Sequence, residues 1–296
     1  MRITLIGAGA IGTLWAVKLS QAGHHVHLIT RDGADERTLN LDGHSLILPA
    51  NQPDLLRCSD LWLVCTKAYD VQAALTPCFT HLEPETMVML MHNGMGPHQW
   101  LIDSLPASQP LLLATTSQGV FRTETGEYQH TGHGPTALGA GNKAGEACQF
   151  LADVLDHALP TATWQTNIIE SLWYKLAVNS VINPLTALHG IKNGELLKLD
   201  YDPIIDALCQ ELATVMRAER ILASATEVRQ RVETVAKATA DNYSSMNRDV
   251  FYRRPTELEY ITGYVLQRAQ AHQISTPHHQ QLYQAVQQVE SNKESS

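Results

Sequence analysis

The sequence predicts two domains: a doubly wound α/β domain with a parallel sheet over residues 1–166, and an all-helical domain over residues 167–296. Three observations carry this reading. The chain has 296 residues, roughly twice a typical ~150-residue domain. Up to about residue 166, short apolar runs alternate with helical stretches, the pattern of a parallel sheet covered by helices. Beyond that point helical periodicity continues with almost no strand signal.

Strands are expected at 2–6, 25–30, 61–66, 86–91 and 111–116. Helices are expected at 11–22, 69–79 and 145–157, the last after a Gly-rich hairpin around 126–141. In the first helix Ile11, Leu14, Trp15, Leu19 and Ala22 recur at helical spacing, and Gly23 stands where a C-terminal stop belongs. The second domain reads as helices at 168–183, 203–222, 225–240, 256–273 and 277–290, punctuated by Asn193-Gly194, Asp200 to Pro203 and Thr276-Pro277. The tail from Glu290 to Ser296 is polar and reads as frayed.

Composition excludes several classes. Hydrophobic residues make up 44%, too many for a disordered chain. Lys plus Arg 21 against Asp plus Glu 30 gives −9, which argues against a chain that coats nucleic acid or an anionic membrane. No apolar run approaches the ~18 residues of a transmembrane helix. The N-terminus reads as starting directly with a strand, without the long apolar stretch expected of a secretory signal. Five cysteines without a Cys-x-x-Cys pair read as reduced, mostly buried thiols of a cytoplasmic protein.

Gly7-Ala8-Gly9-Ala10-Ile11-Gly12 matches G-x-G-x-x-G, with a strand before it and a helix after it. In a Rossmann-type domain Gly7 would allow the tight turn, Gly9 would admit a pyrophosphate, and Gly12 would let helix and strand pack closely. The helix N-terminus would then offer free N–H donors to phosphate. At the end of the second strand an NAD site would carry Asp or Glu. Here Thr30 is followed by Arg31, whose guanidinium suits a 2′-phosphate and favours NADP. Asp32 follows and either faces solvent or weakens that preference. Lys67 lies just past the third strand, on the carboxyl edge where doubly wound sheets bind ligands.

In the helical half Lys175, Asn179 and Asn183 follow i, i+4, i+8 and fall on one helical face among apolar neighbours. Such a stripe either faces water or lines a cleft. Asparagines gain nothing on a solvated helix face, because they are poor helix formers. Pro184 lacks an N–H and disfavours helix at Asn183, so a kink or break is expected there.

With these residues in place, the chain resembles the ketopantoate reductase (2-dehydropantoate 2-reductase) family over about residues 1–290. The resemblance rests on Gly7–Gly12, His92-Asn93-Gly94-Met95-Gly96, Leu172 to Asn179, Ile182 to Ala187, Asn193-Gly194-Glu195, Ser244-Ser245-Met246 and Thr256-Glu257. It implies NADPH-dependent reduction of 2-dehydropantoate to (R)-pantoate on the route to pantothenate and coenzyme A. It also implies a small-molecule substrate and a monomer or homodimer. By resemblance Lys175 is the proton donor, and Asn179, Asn183, Asn193 and Ser245 contact substrate. Glu257 is the acid beside nicotinamide and the reacting hydroxyl, and Asn93 lies between cofactor and substrate. Gly7, Ala8, Gly9, Ala10, Ile11, Gly12, Arg31, Lys67 and Val120 fall on cofactor-binding positions.

The chain departs from the family pattern at several positions. Asp70 stands where some members carry Gln near the adenosine end. Asn247-Arg248 replace the Leu-Gln that often follows Ser-Met, Thr262 replaces an Asn, and Arg253-Arg254-Pro255 is atypical.

Reduction of a 2-oxo acid develops an alkoxide that must be stabilised and protonated. An ammonium does both. A free lysine, with a pKa near ~10.4, is a reluctant donor; partial burial and oxidised nicotinamide would lower that value, and Glu257 would raise it. Two rivals remain: a relative acting on another branched 2-oxo acid, and a non-catalytic NADPH-binding sensor. The fourteen histidines cluster at His24-His25-x-His27, His130 with His133, and His278-His279. They read as surface or packing residues, and no metal site is expected.

Overall fold

The computed structural model describes residues 1–294. The strands are β1 (Arg2–Ile6), β2 (His25–Ile29), β3 (Glu36–Leu41), β4 (His44–Pro49), β5 (Leu61–Val64), β6 (Met87–Met91), β7 (Leu111–Thr116), β8 (Gly119–Arg122), β9 (Tyr128–Gly132), β10 (Thr136–Ala140) and β11 (Ala162–Trp164). The α-helices are α1 (Ala10–Gln21), α2 (Pro53–Arg57), α3 (Val71–Leu75), α4 (Pro97–Ser104), α5 (Leu151–Ala158), α6 (Ile168–His189), α7 (Asp202–Ala218), α8 (Ala225–Ala238), α9 (Ser245–Phe251), α10 (Tyr264–Ala271) and α11 (Pro277–Glu294). Of the polar tail, Ser295 and Ser296 lie outside the described residues, and α11 carries the chain through Glu294.

The chain divides into two compact units: residues 1–92 with 96–171, and residues 93–95 with 172–296. The first unit is a Rossmann-type α/β domain. Its main sheet has seven strands in the order β11-β10-β7-β6-β5-β1-β2. The five strands from β2 to β7 are mutually parallel, β10 runs antiparallel to β7, and β11 runs parallel to β10. Parallel strands are buried on both faces, so β5, β6 and β7 read as continuous apolar runs rather than alternating ones.

A smaller four-stranded sheet, β4-β3-β9-β8, was not anticipated. Its strands carry Glu, Arg, Asn, His and Thr at half their positions, so no apolar run announced them. Helix α1 touches β1 and β2 of the main sheet and β3, β8 and β9 of the small one. That double cover explains why Leu14, Trp15, Ala16 and Leu19 are all fully buried. The helix stops as expected, with Gly23 at φ +86° and its N–H on the Ser20 carbonyl.

Two further corrections fall in this unit. The expected helix at 69–79 is a short α3 between two 3₁₀ turns, and the one at 145–157 begins as a 3₁₀ turn before α5. The Gly126 turn joins β8 to β9, whereas β10 leaves for the main sheet.

The second unit is helical. Helix α7 packs against α8, α10 and α11, and its buried face carries Ile205, Leu208, Leu212, Val215 and Met216. Helix α8 starts at a capping box in which Ser224 and Glu227 satisfy each other's backbone N–H. Of the kink or break expected at Pro184, the break does not occur: α6 is continuous from Ile168 to His189. Residues Trp173, Leu176, Ala177, Val181, Ile182, Leu185 and Ala187 of α6 are buried, and this packing holds the helix through the proline. The helix predicted at 256–273 opens as a π-helical turn, Glu259–Gly263, before α10.

Candidate active site

Strands β2, β1 and β5 are parallel neighbours, so the Gly7 turn, Arg31 and Lys67 leave the main sheet at the same end. Gly7 adopts φ +95°, and a Cβ there would come within 2.7 Å of the Thr66 methyl. A Cβ on Gly12 would overlap the Gly7 carbonyl oxygen, whereas one on Gly9 would meet nothing within 4 Å. The three glycines thus serve a left-handed turn, an open approach and a close helix–strand contact. Gly9 is the N-cap of α1 and supplies no side-chain acceptor. Ala8, Ala10 and Ile11 complete the loop without a polar side chain, which leaves first-turn N–H groups available to an anion.

At the end of β2, Arg31 is 91% exposed and its guanidinium lies 3.3 Å from Asp70. Asp32 is turned to its own loop, where it accepts the Thr30 hydroxyl at 2.6 Å and pairs with Arg37. The Thr30 hydroxyl first, and Arg37 more weakly, hold this carboxyl below its ordinary pKa. Asn51, at φ +54°, accepts the Thr30 N–H and donates to Thr30 Oγ1 and the Ala34 carbonyl. Sequence reasoning missed Arg37 and Asn51; the only local hint was an Asn beside Gln52-Pro53, a turn composition. Lys67 caps a 3₁₀ turn, its carbonyl accepting the Asp70 N–H at 2.9 Å. Val120 stands at an irregularity of β8 beside the Gly119–Gly132 close approach.

In the helical unit the unbroken α6 keeps Lys175, Asn179 and Asn183 on one face. Lys175 and Asn179 are partly exposed, and Asn183 is 6% exposed. Burial lowers the Lys175 pKa to about 8, opposed by the charge of Glu257, which is itself buried. Thr256 leads into that acid, its hydroxyl accepting the Leu258 N–H at 3.1 Å. The Glu257 carbonyl accepts the N–H groups of Tyr260 and Ile261 at 3.1 and 3.0 Å.

The Asn93 loop joins this segment. Gly94, at φ +76°, packs so closely that a Cβ would lie 2.5 Å from the Tyr260 carbonyl oxygen, which also accepts the Met95 N–H at 2.8 Å. Asn93 and Glu257 are therefore held in one unit by a backbone contact three residues past the acid. Asn193 is buried; its Nδ2 donates to Thr239 Oγ1 at 2.9 Å, and its Oδ1 has no partner among the described residues. Among the described residues no side-chain hydrogen bond is found for the Asn179 or Asn183 amides, although buried amides ordinarily have partners. Ser245 is the exposed first residue of α9, and Ser244 beside it is the buried N-cap.

The family "Ketopantoate reductase PanE/ApbA" matches residues 3–143, and "Ketopantoate reductase PanE/ApbA C terminal" matches residues 167–290. The 2-dehydropantoate 2-reductase of Vibrio cholerae is 45% identical over 291 residues, covering 98% of each chain. The chain belongs to the ketopantoate reductase family. Among solved structures, family members and relatives share the fold. D-mandelate dehydrogenase in complex with NADH superposes with a TM-score of 0.89 at 24% identity, covering 99% of both chains. A PanE/ApbA family ketopantoate reductase from Ralstonia eutropha superposes at 0.86, also at 24% identity, covering 99% of this chain and 100% of that one.

Two departures from the family pattern have structural accounts. Arg248 lies over the Tyr243 ring at 4.8 Å, and Arg254 over the Tyr252 ring at 4.8 Å. Asn247 is buried and donates to two carbonyls. Nothing in the structure explains Thr262, whose buried hydroxyl has no partner among the described residues. Of the histidine clusters, the His130 and His133 rings lie 4.2 Å apart, and His278 and His279 both bind Glu211.

Proposed function

We propose that this chain is an NADPH-dependent oxidoreductase that reduces 2-dehydropantoate to (R)-pantoate, in the cytoplasm, for pantothenate and coenzyme A synthesis. In this reading residues 1–166 form the NADP-binding domain and residues 167–296 the substrate-binding domain. The single observation that best supports it is Lys175. A cationic side chain, made a better acid by burial, feels the charge of Glu257 and shares a helix face with two amides that have no side-chain hydrogen bond among the described residues. A surface lysine that snorkels to solvent would have its ordinary pKa.

The residues present fit a dinucleotide. The open space at Gly9 and the uncapped start of α1 suit a pyrophosphate. Arg31 suits a 2′-phosphate, and the engagement of Asp32 by Arg37 removes an acceptor that would favour NADH. When bound, NADPH supplies the hydride. Lys175 polarises the ketone and gives its proton to the developing alkoxide. Asn179, Asn183 and Asn193 donate amide hydrogens to substrate oxygens, Ser245 helps hold the substrate, and Glu257 keeps Lys175 charged. Asn93 and Val120 contribute to the nicotinamide environment. The chain works as a monomer or homodimer, which sedimentation distinguishes.

The departures Asn247-Arg248 and Thr262 keep a reductase of another branched 2-oxo acid as the second reading. Loss of NADPH absorbance with 2-dehydropantoate, against a panel of 2-oxo acids, decides between them. Turnover of 2-dehydropantoate at the highest kcat/KM is expected. A clear preference for another member transfers the reading to that acid, and binding of NADPH without turnover of any would make the chain a sensor. Lys175→Ala is expected to reduce kcat by about two orders of magnitude or more.

A further inference from the structure

The three segments that carry Asn183, Asn193 and Ser245 meet at one buried cluster in the helical unit. Asn247, 6% exposed, donates its Nδ2 hydrogens to the Thr186 carbonyl at 2.7 Å and the Ile191 carbonyl at 3.3 Å. Its backbone N–H donates to Ser244 Oγ at 3.1 Å. The Ser244 and Thr186 hydroxyls are hydrogen-bonded at 2.7 Å. Thr186 lies three residues past Asn183, Ile191 two residues before Asn193, and Ser244 immediately before Ser245.

We infer that Thr186, Ser244 and Asn247 form a hydrogen-bonded staple that sets the spacing of the substrate-contacting side chains, with Asn247 as a positioning residue. This rests on the reading given under Proposed function. The Thr186 carbonyl, in the last turn of α6, accepts the Ile191 N–H at 3.2 Å, and the Asn247 amide adds a second, shorter donor to it from another element. That second donor ties α9 to the end of α6. Leucine, the residue that often follows Ser-Met in the family, fills a similar volume but donates nothing. Asn247 thus makes a hydrogen-bonded link where a leucine would give packing alone. The backbone pairs Asn193 N–H to the Asn242 carbonyl at 2.9 Å and Gly194 N–H to the Ala240 carbonyl at 3.1 Å hold the turn against the segment that leads into α9. Asn247 closes that frame at its other end, onto α6. A shift of an ångström among the three segments would separate amides that must engage one small anion together.

The test compares Asn247→Leu and Ser244→Ala with wild type, with Ser244→Thr as the hydroxyl-retaining control. KM and kcat for 2-dehydropantoate, the NADPH dissociation constant and the melting temperature are measured for each. Asn247→Leu is expected to raise KM about tenfold with NADPH affinity unchanged, Ser244→Ala to move KM the same way, and Ser244→Thr to recover most of the loss. Should Asn247→Leu fail to fold, the Ser244 pair carries the comparison alone. A KM within twofold of wild type overturns the inference, whether or not the melting temperature falls.

Hydrogen exchange provides a readout that does not need turnover. Faster exchange at residues 191–196 and 245–248 in Asn247→Leu, with α11 unchanged, supports the staple, and unchanged exchange there overturns it. If wild type does not reduce 2-dehydropantoate, the functional reading falls while this measurement still judges the staple.

Discussion

Arg31 is almost fully exposed and pairs with Asp70 at 3.3 Å, so its interaction with that carboxylate is weak, about 0–1 kcal/mol for a surface pair. A 2′-phosphate would offer the guanidinium a doubly charged, bidentate partner instead. Arg31→Ala should therefore weaken NADPH about tenfold or more while leaving NADH nearly unchanged, measured by fluorescence titration of both cofactors. Asp70→Asn should act in the opposite direction, tightening NADPH by a factor of about 2–5. Asp32 was the residue whose role the sequence left open, because its partner Arg37 lies five residues on, across a turn shaped by Asn51. Such loop geometry is not a periodic signal. Gly12 shows the reverse case: the motif and its spacing were enough, and the structure adds the overlap a Cβ would cause. Gly12→Ala is expected to abolish nucleotide binding, because the contact is with backbone and nothing flexible can yield.

Helix α11 begins at Pro277, and the N–H groups of His278 and His279 are both accepted by the Glu211 carboxylate of α7, at 2.9 and 3.0 Å. Both imidazole Nδ1 atoms also reach that carboxylate, at 2.8 and 2.7 Å. Burial would raise the Glu211 pKa, but these hydrogen bonds outweigh it and bring it down to about 2. The stability it contributes is complete above about 4.5 and is lost as pH falls from there towards 2. Burial lowers the pKa of His279 as well, so its protonation below about 6.5 adds a loss of the same sign. Thermal melts should show a fall in stability below pH 6.5 that steepens below pH 4.5. Glu211→Gln should cost about 2 kcal/mol at pH 7 and flatten that acid limb.

At this scale the strongly apolar strands β1, β5, β6 and β7 and the long helices were legible. The small sheet was not, since its exposed strands alternate weakly. Nor was α9, whose seven residues are too few for periodicity, although Ser244 as N-cap was a visible start signal. The helix is not broken at Pro184: the expectation weighed the proline alone, whereas α6 is packed by buried residues on both sides of it, Val181 and Ile182 before and Leu185 and Ala187 after.

For the molecule as a whole, the net charge is −9, and no described helix is long and apolar enough to cross a membrane. Lys175, Asn179 and Asn183 were legible together because one helical period relates them. Glu257 and Asn93 were not connected to them by any spacing, and only the resemblance grouped all five. What the fold contributes is the electrostatic setting: burial that lowers the Lys175 pKa and a buried acid that raises it. In the proposed reduction the protonated amine is the active form, so the rate should be highest below its pKa and fall as pH rises through about 8.

The most direct measurement is therefore the pH dependence of kcat for 2-dehydropantoate reduction in wild type, Glu257→Gln and Lys175→Ala. The account predicts a descending limb near pH 8 in wild type. Loss of the acid's charge should shift that limb to lower pH in Glu257→Gln. The limb should vanish in Lys175→Ala, together with a rate loss of about a hundredfold or more. A Lys175→Ala protein with wild-type turnover, or a limb that stays at the same pH without Glu257, would contradict it.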